Sequence, residues 1–257
     1  MARPGLAPLM RDFLPEHLAP LLEGSLMDGC IAVQAASTIF ETRWLLSLAA
    51  AHPFILGVVG WADLTKADMA RDLDDLPQRK KLRGLRHIVE DEQDLEWLLR
   101  DDVARSLEEC RRLGLCYDIL VREPQWPAAL RCARAHPELR LVLDHCGKPP
   151  IRAGNLDAWR QFMKDMAALD HVSCKLSGLV TEADWRNWSE ADLRPIVDVA
   201  LDTFGTERLM LGSDWPVCTV AAPYGRTFHA LEAAFDQLSC DERARIRGGT
   251  AAAIYGI

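Results

Sequence analysis

The sequence predicts an α/β fold, and two observations support this. Short, almost continuously apolar runs alternate with longer segments whose apolar residues recur at helical spacing. Apolar strands separated by helices are typical of a parallel sheet that helices cover on both faces. No composition break, long linker or low-complexity segment divides residues 1–257. We therefore expect a single domain.

Seven strand–helix units can be read along the chain. The predicted strands are 29–35, 54–60, 83–89, 116–121, 139–144, 172–177 and 208–212, and the predicted helices are 41–52, 95–113, 126–136, 156–169, 193–204, 227–238 and 242–248. A closed (β/α)₈ barrel needs eight such units. A doubly wound sheet tolerates seven, but it usually carries a glycine-rich turn after its first strand, and this sequence has none. One interpretation is a TIM-like barrel that lacks its opening strand.

Composition and charge exclude several classes of protein. The chain has 257 residues, and its 30 Lys and Arg against 38 Asp and Glu give a net charge of −8. No basic excess is available to neutralise phosphates, so a nucleic-acid or anionic-membrane surface is not expected. No apolar run approaches the roughly 20 residues that span a bilayer, and the first residues lack a secretory apolar region. The 8 cysteines contain no C-x-x-C pair. We expect reduced, buried thiols in a cytoplasmic protein.

Polar residues at the ends of predicted strands are the candidates for chemistry. The sequence has no G-x-S-x-G, Walker A, G-x-G-x-x-G or H-E-x-x-H motif. His87 lies near the end of one strand, His145 follows Asp144 at the end of another, and Asp214 follows the last strand. In a barrel the carboxyl ends of the strands build the active site. These three residues are therefore predicted to meet at one rim, where they could do acid, base or metal chemistry.

Three segments with these residues resemble a known family. They are 143–149 (LDHCGKP), 174–182 (CKLSGLVTE) and 211–217 (LGSDWPV), and segments 11–15, 84–88 and 248–256 fit as well. Together they resemble the amidohydrolase-related sugar lactonases, a group that includes L-fuconolactonase and L-rhamnono-γ-lactonase types. The resemblance runs from about residue 8 to the end of the chain.

This resemblance implies an amidohydrolase-type (β/α)₈ barrel that hydrolyses a cyclic ester, with a small sugar lactone as its partner. In such enzymes the aspartate after the last strand, here Asp214, activates water as a general base or helps to hold a metal. His145 and His87 would orient or polarise the lactone carbonyl. A carboxylate that accepts the proton of water and an imidazole or metal that stabilises the oxyanion suit this reaction.

One departure from the family pattern concerns the metal. The family's first strand carries a His-x-His pair, whereas the first histidine here is His17 and no His-x-His occurs. This agrees with the independent count of seven strands. The resemblance implies one divalent metal, zinc or manganese, for which Asp214 would be a ligand. Without the pair the metal site is incomplete, so the need for a metal stays open.

Further polar and aromatic residues are weaker candidates for substrate binding, and each has an ordinary structural explanation. Trp185 and Trp188 could stack on a sugar face, or could simply pack. The others could contact hydroxyl or carboxylate groups of a substrate, or could be solvated or ion-paired: Lys148, Asp118, Lys175 and Gln34.

Two alternatives stay open at this point. The same barrel could carry a decarboxylase or an aromatic-lactone hydrolase. The chain could also be an inactive remnant, because a barrel without one strand has two unpaired edges that invite pairing into a homo-oligomer.

Overall fold

The fold was obtained as a computed structural model that describes residues 4–257. Residues 1–3, which belong to the predicted domain and to the N-terminus predicted to lack a secretory signal, lie outside the described part. Seven strands form one parallel sheet in sequential order. They are β1 (Cys30–Val33), β2 (Ile55–Gly60), β3 (Leu82–Ile88), β4 (Cys116–Leu120), β5 (Leu141–Leu143), β6 (Val172–Leu176) and β7 (Leu209–Leu211). Each lies at a predicted position, so the parallel sheet is confirmed.

One helix precedes the first strand, and the others connect successive strands or follow the last one. They are α1 (Pro15–Gly24), α2 (Ile39–Ala51), α3 (Met69–Asp74), α4 (Asp101–Arg112), α5 (Trp126–Ala135), α6 (Asp157–Ala167), α7 (Leu179–Glu182), α8 (Glu190–Phe204), α9 (Tyr224–Ala233), α10 (Cys240–Ala244) and α11 (Thr250–Tyr255). Short 3₁₀ segments lie at Pro4–Leu9, Arg79–Lys81, Val89–Asp91, Trp97–Leu99, Glu123–Gln125, Asp144–Gly147, Ile151–Ala153 and Val217–Val220. Over residues 4–257, no helix is both long and apolar enough to cross a bilayer.

The predicted helix boundaries needed correction at several places. The helix expected over 95–113 begins only at Asp101, because Trp97–Leu99 forms a separate 3₁₀ turn with Trp97 and Leu98 buried. The helix expected over 242–248 is divided, since a π-helical turn at Arg245–Gly249 separates α10 from α11. The helix α1 was not predicted. Its apolar positions are interrupted by Pro20, which weakens the helical pattern.

The sheet is buried on both faces, as the apolar strands predicted. The outer face packs against the helices in one large core. The inner face forms a smaller cluster of Val59, Cys116, Val142 and Met210, closed by Tyr255 from α11. Tyr255 therefore caps the inside of the sheet, and polar residues of the same face lie above it.

A cleft of about 1240 Å³ separates the first and last strands, and residues of both β1 and β7 line it. Within the described residues β1 pairs with β2 alone and β7 with β6 alone. The sheet is thus curled but not closed. The predicted barrel without an opening strand is confirmed as this seven-stranded, incomplete barrel, and each outer strand leaves one edge unpaired.

All eight cysteines are free thiols. Six are buried, Cys30 is half-buried and Cys240 is exposed. Burial raises the pKa of the Cys110 thiol to about 12, which leaves it protonated near neutral pH. The prediction of unpaired, mostly buried cysteines is confirmed.

Candidate active site

His145 lies in a tight turn directly after β5. The backbone of His145, Cys146 and Lys148 has φ of +52°, +52° and +55°, a left-handed conformation that costs free energy for residues other than glycine. Two buried tryptophans hold this turn. Trp159 Nε1 donates to the carbonyl of Cys146 at 2.7 Å, and Trp126 Nε1 donates to the carbonyl of Gly147 at 2.9 Å. The helices α5 and α6 therefore fix the position of His145.

Asp214 follows β7 and faces the same histidine. Its Oδ1 lies 3.7 Å from Nε2 of His145, and its own φ is +54°. This distance is too long for a direct hydrogen bond and leaves both polar atoms free for a third group. The side chains are 10% and 16% exposed, so both are accessible but largely shielded from solvent. His145 and Asp214 can thus act on one small molecule.

Ser177 and Gly178, after β6, shape this pair from below. Ser177 Oγ lies 2.8 Å from Nδ1 of His145, which ties down the nitrogen that does not face Asp214. A Cβ on Gly178 would lie 2.7 Å from Nδ1 of His145 and 3.0 Å from Oδ2 of Asp214. Gly178 also has a φ of +63°. Only glycine suits this position, because a side chain would displace both candidate catalytic groups.

Beneath the pair, the inner face of the sheet holds a buried ionic network. Lys175 Nζ contacts a carboxylate oxygen of Asp118 and lies 2.6 Å from Oδ1 of Asp144. Arg86 donates to Oδ2 of Asp144 at 2.8 Å, and the Tyr255 hydroxyl donates to Asp118 at 2.9 Å. Two cations thus balance two carboxylates that are both fully buried. Such charges tolerate burial only when they are paired in this way.

The pKa values of the two buried carboxylates shift in opposite directions, because Asp144 has two cationic neighbours and Asp118 has one. Burial raises the pKa of Asp144, but Lys175 and Arg86 together lower it more, and the pKa lies below its usual range. Burial raises the pKa of Asp118 as well, and its single cationic neighbour, Lys175, does not compensate fully. Burial lowers the pKa of Lys175, yet the two carboxylates outweigh this effect and the net shift is upward. Lys175 therefore remains an ammonium at the floor of the cleft.

Gln34, at the end of β1, orients Arg86. Its backbone carbonyl and its Oε1 both accept from Nη2 of Arg86, the latter at 3.1 Å, and its Nε2 donates to the Arg86 carbonyl. The cleft between β1 and β7 is lined by Gln34, Arg86, Lys175, His145 and Asp214. The structure therefore brings together four of the predicted residues, and Arg86 joins them.

The other predicted residues lie elsewhere. His87 is on the opposite face of β3 from Arg86, where Trp61 Nε1 donates to its Nδ1 at 3.0 Å and Glu92 lies 2.7 Å from its Nε2. Its ring also stacks on Trp97 with centroids 4.1 Å apart. All its contacts are thus on the outer side of the sheet, and the structure does not bring it to His145 and Asp214.

Lys148 and Asp118 are occupied by ionic partners. Lys148 Nζ lies 2.6 Å from Glu90, and Arg122 bridges Glu90 and Glu182 in the same rim network. Asp118 has no exposed surface and lies under Lys175. Neither residue lines the cleft.

The two tryptophans predicted to stack on a sugar are outside the cleft as well. Trp185 donates from Nε1 to the Thr181 carbonyl and lies against Gly5. Trp188 is buried and donates to the Ala221 carbonyl. Sequence reasoning missed Arg86, Asp144 and Ser177. Asp144 and Ser177 could have been found from their positions at strand ends, next to predicted site residues.

The cleft offers fewer donor groups than a divalent metal needs. Over residues 4–257, no group of three or more His, Cys, Asp or Glu side chains is arranged to hold one. His145 and Asp214 supply two donor groups, whereas zinc sites in proteins have at least three protein ligands. The described residues do not fit a complete metal site, so no chemical step is derived through a metal.

Comparison with known proteins gives a consistent result. Residues 1–257 match the family model described as Amidohydrolase. The L-fucono-1,5-lactonase of Burkholderia multivorans is 43% identical over 98% of this chain and 89% of its own length. The L-fucono-1,5-lactonase of Burkholderia ambifaria is 39% identical over 97% of this chain and 87% of its own.

A solved structure agrees with these relatives. The crystal structure of an amidohydrolase from Burkholderia multivorans with bound zinc superposes with a TM-score of 0.95 at 42% identity, over 99% of this chain and 92% of that one. The resemblance predicted from the three sequence segments is thereby confirmed. The chain belongs to the amidohydrolase family.

Proposed function

We propose that this chain hydrolyses a sugar lactone to the corresponding hydroxy acid, and that the pair of His145 and Asp214 carries out the reaction. Two relatives about two-fifths identical over nearly the whole chain are both named L-fucono-1,5-lactonase. A six-membered lactone of a deoxy sugar acid is therefore the first substrate to test. The observation that carries the proposal is the approach of Nε2 of His145 to Oδ1 of Asp214 within one cleft.

The reaction requires a base for water and a donor for the carbonyl oxygen. Asp214 accepts a proton from water as the water oxygen bonds to the lactone carbonyl carbon. His145 donates from Nε2 to the developing oxyanion, and the Ser177 hydroxyl donates to Nδ1, which keeps the proton on Nε2. The tetrahedral intermediate then expels the ring oxygen, which takes the proton from Asp214. Water is consumed, and one carboxyl and one hydroxyl group are formed.

The cationic floor of the cleft favours the same chemistry. Lys175 and Arg86 lie under the pair and line the cleft. Asp118 and Asp144 balance the charges of these two cations, so the network has little net charge. The ammonium and guanidinium groups still present N–H dipoles in fixed orientations. Such preorganised dipoles stabilise charge that develops in a transition state. Lys175, predicted from the sequence as a substrate-binding residue, is proposed to contact a hydroxyl group of the sugar. Gln34 was predicted likewise but has no exposed surface, so it is proposed to hold Arg86 in place.

The test is a panel of aldono-1,5- and aldono-1,4-lactones assayed by acid release. Asp214→Asn and His145→Gln are each expected to lower kcat/KM by about 100-fold or more. Asp157→Asn, an exposed carboxylate on α6, is the matched control. Turnover of Asp214→Asn at the wild-type rate would refute the mechanism.

Two further arms of the assay address the alternatives. Release of CO₂ without lactone hydrolysis would favour a decarboxylase instead. The panel is run with and without added zinc or manganese, because the crystal structure of a relative contains zinc, whereas among the described residues His145 and Asp214 supply two donor groups. Free thiols at all eight cysteines suit a reducing compartment, and we propose the cytoplasm as the place where the reaction occurs.

A further inference from the structure

A second concentration of charge lies at the other end of the sheet. Arg79 and Lys80 precede β3, Arg83 lies near its start, and Arg140 directly precedes β5. These four side chains, here called the basic groove, line a depression of about 490 Å³. His145 and Asp214 follow the ends of their strands, so the basic groove and the candidate active site lie at opposite ends of the fold.

The cations of the basic groove are poorly neutralised. None of the residues that line it is Asp or Glu. Arg79 pairs with Asp74 at 2.7 Å, but over residues 4–257 no carboxylate lies within 4.0 Å of Lys80, Arg83 or Arg140. Like charges held together repel one another, and an anion bound between them removes that repulsion.

The side chain of Arg83 gives a second, independent indication. Its Nε is buried and has no hydrogen-bond partner among the described residues. Leaving a buried donor unsatisfied costs free energy, and such a group in a native protein calls for an explanation, such as local strain or an ordered water or ion beside it. Arg140 is held in place from Nη2 by the Gly114 carbonyl. The groove thus has one fixed and one unsatisfied guanidinium.

We propose that the basic groove binds the phosphate group of a small molecule. A guanidinium offers parallel N–H donors that match two phosphate oxygens, and Lys80 adds a point charge. The volume suits a small ligand rather than a polymer. A nucleic acid is disfavoured because the chain as a whole carries a charge of −8 and repels polyanions.

The experiment is calorimetric titration with inorganic phosphate at low ionic strength, with glycerol phosphate and citrate as parallel probes. Wild type is expected to bind phosphate saturably. Lys80→Gln and Arg83→Met are each expected to weaken binding about tenfold, the loss of one charge-assisted contact. Arg134→Gln, an exposed arginine on α5, is the matched control and should bind like wild type.

The outcomes separate the possibilities. Lys80 is exposed and makes no ion pair among the described residues, so its replacement tests the groove even if Arg83→Met does not fold. Absence of saturable phosphate binding, or equal binding by wild type and Lys80→Gln, would overturn the proposal. Stronger binding of citrate than of either phosphate would overturn it in favour of a carboxylate site. Lactone hydrolysis is not part of the readout, so this result is independent of the proposed function.

Discussion

His145 and Asp214 face each other from the ends of β5 and β7, two strands that do not pair, with Nε2 and Oδ1 3.7 Å apart. Both residues have a left-handed backbone, which is rare for residues with side chains. Such strain persists where the surrounding structure holds it, and it is concentrated at functional sites. The strand β6 lies between them and supplies Ser177 and Gly178, so small changes there should affect catalysis more than stability.

Gly178→Ala should lower activity much more than stability. Its Cβ would meet His145 and Asp214 at 2.7 and 3.0 Å and push them apart. We expect kcat/KM to fall by about 100-fold, since a displacement of about 1 Å at reacting groups has that effect. Gly154→Ala is the matched control, because Gly154 has a φ of +77° and no neighbouring atom within 4 Å of an added Cβ. Equal losses of activity in the two variants would contradict the role of Gly178.

Ser177→Ala should lower the rate of the reaction more than the stability of the fold. The hydroxyl oxygen lies 2.8 Å from Nδ1 of His145 and holds the ring in place. We expect kcat/KM to fall about tenfold, mainly through kcat, because the imidazole is then less well oriented toward the carbonyl oxygen of the substrate. Ser106→Ala, which removes a buried hydroxyl bonded to the Leu64 carbonyl, is the control and should keep kcat/KM close to that of wild type. A similar rate loss in Ser106→Ala would indicate a purely structural effect.

The sequence predicted the strands and the two residues at their ends for a physical reason. Buried strands are continuous apolar runs, and a carboxylate or imidazole directly after such a run stands out. His145 and Asp214 were predicted in this way, and the structure places them together in the cleft. The same pattern hides which face of a strand points inward, since both faces are apolar. Arg86 and His87 are neighbours on β3, and only the three-dimensional fold shows that Arg86 lines the cleft.

Contacts between distant segments were beyond sequence reasoning. The ion pairs of Lys148 with Glu90 and of Asp118 with Lys175 join residues that are 58 and 57 positions apart in the sequence. Nothing in the local sequence around Lys148 distinguishes a free rim lysine from a paired one. The fold class was therefore predictable from local patterns, whereas local patterns could not show which polar residues line the cleft and which are held in ion pairs.

Lys175→Met should destabilise the protein in a pH-dependent way. Lys175 lowers the pKa of both Asp118 and Asp144 against the effect of burial. Without it, two buried carboxylates lose a cation, and we expect a loss of about 3–5 kcal/mol in the free energy of unfolding at pH 7. The pKa of Asp118 in the folded state, which is already raised, then rises further, and the pKa of Asp144 rises as well, so the folded state of the variant gains relative stability as the pH falls.

The penalty for Lys175→Met should therefore shrink between pH 7 and about pH 4, as the buried carboxyls take up protons. Urea denaturation at several pH values measures it. Lys164→Met, an exposed lysine on α6, serves as control and should show no pH-dependent penalty. A penalty that stays constant over this range would mean that the network does not hold both carboxylates ionised.

Replacing His87 tests whether this residue contributes to stability or to catalysis. His87→Leu leaves Trp61 Nε1 without an acceptor and removes the contact with Glu92, so we expect a loss of about 1–3 kcal/mol in unfolding free energy. Because His87 points away from the cleft, kcat per folded molecule should stay within about threefold of wild type, whereas Asp214→Asn should lose activity with little change in stability.

The double variant His87→Leu with Trp61→Phe should recover part of the stability, because both hydrogen-bonding partners are then apolar. A loss of about 100-fold in kcat by a fully folded His87→Leu protein would instead place His87 in the reaction, through a rearrangement of β3 that this structure does not contain.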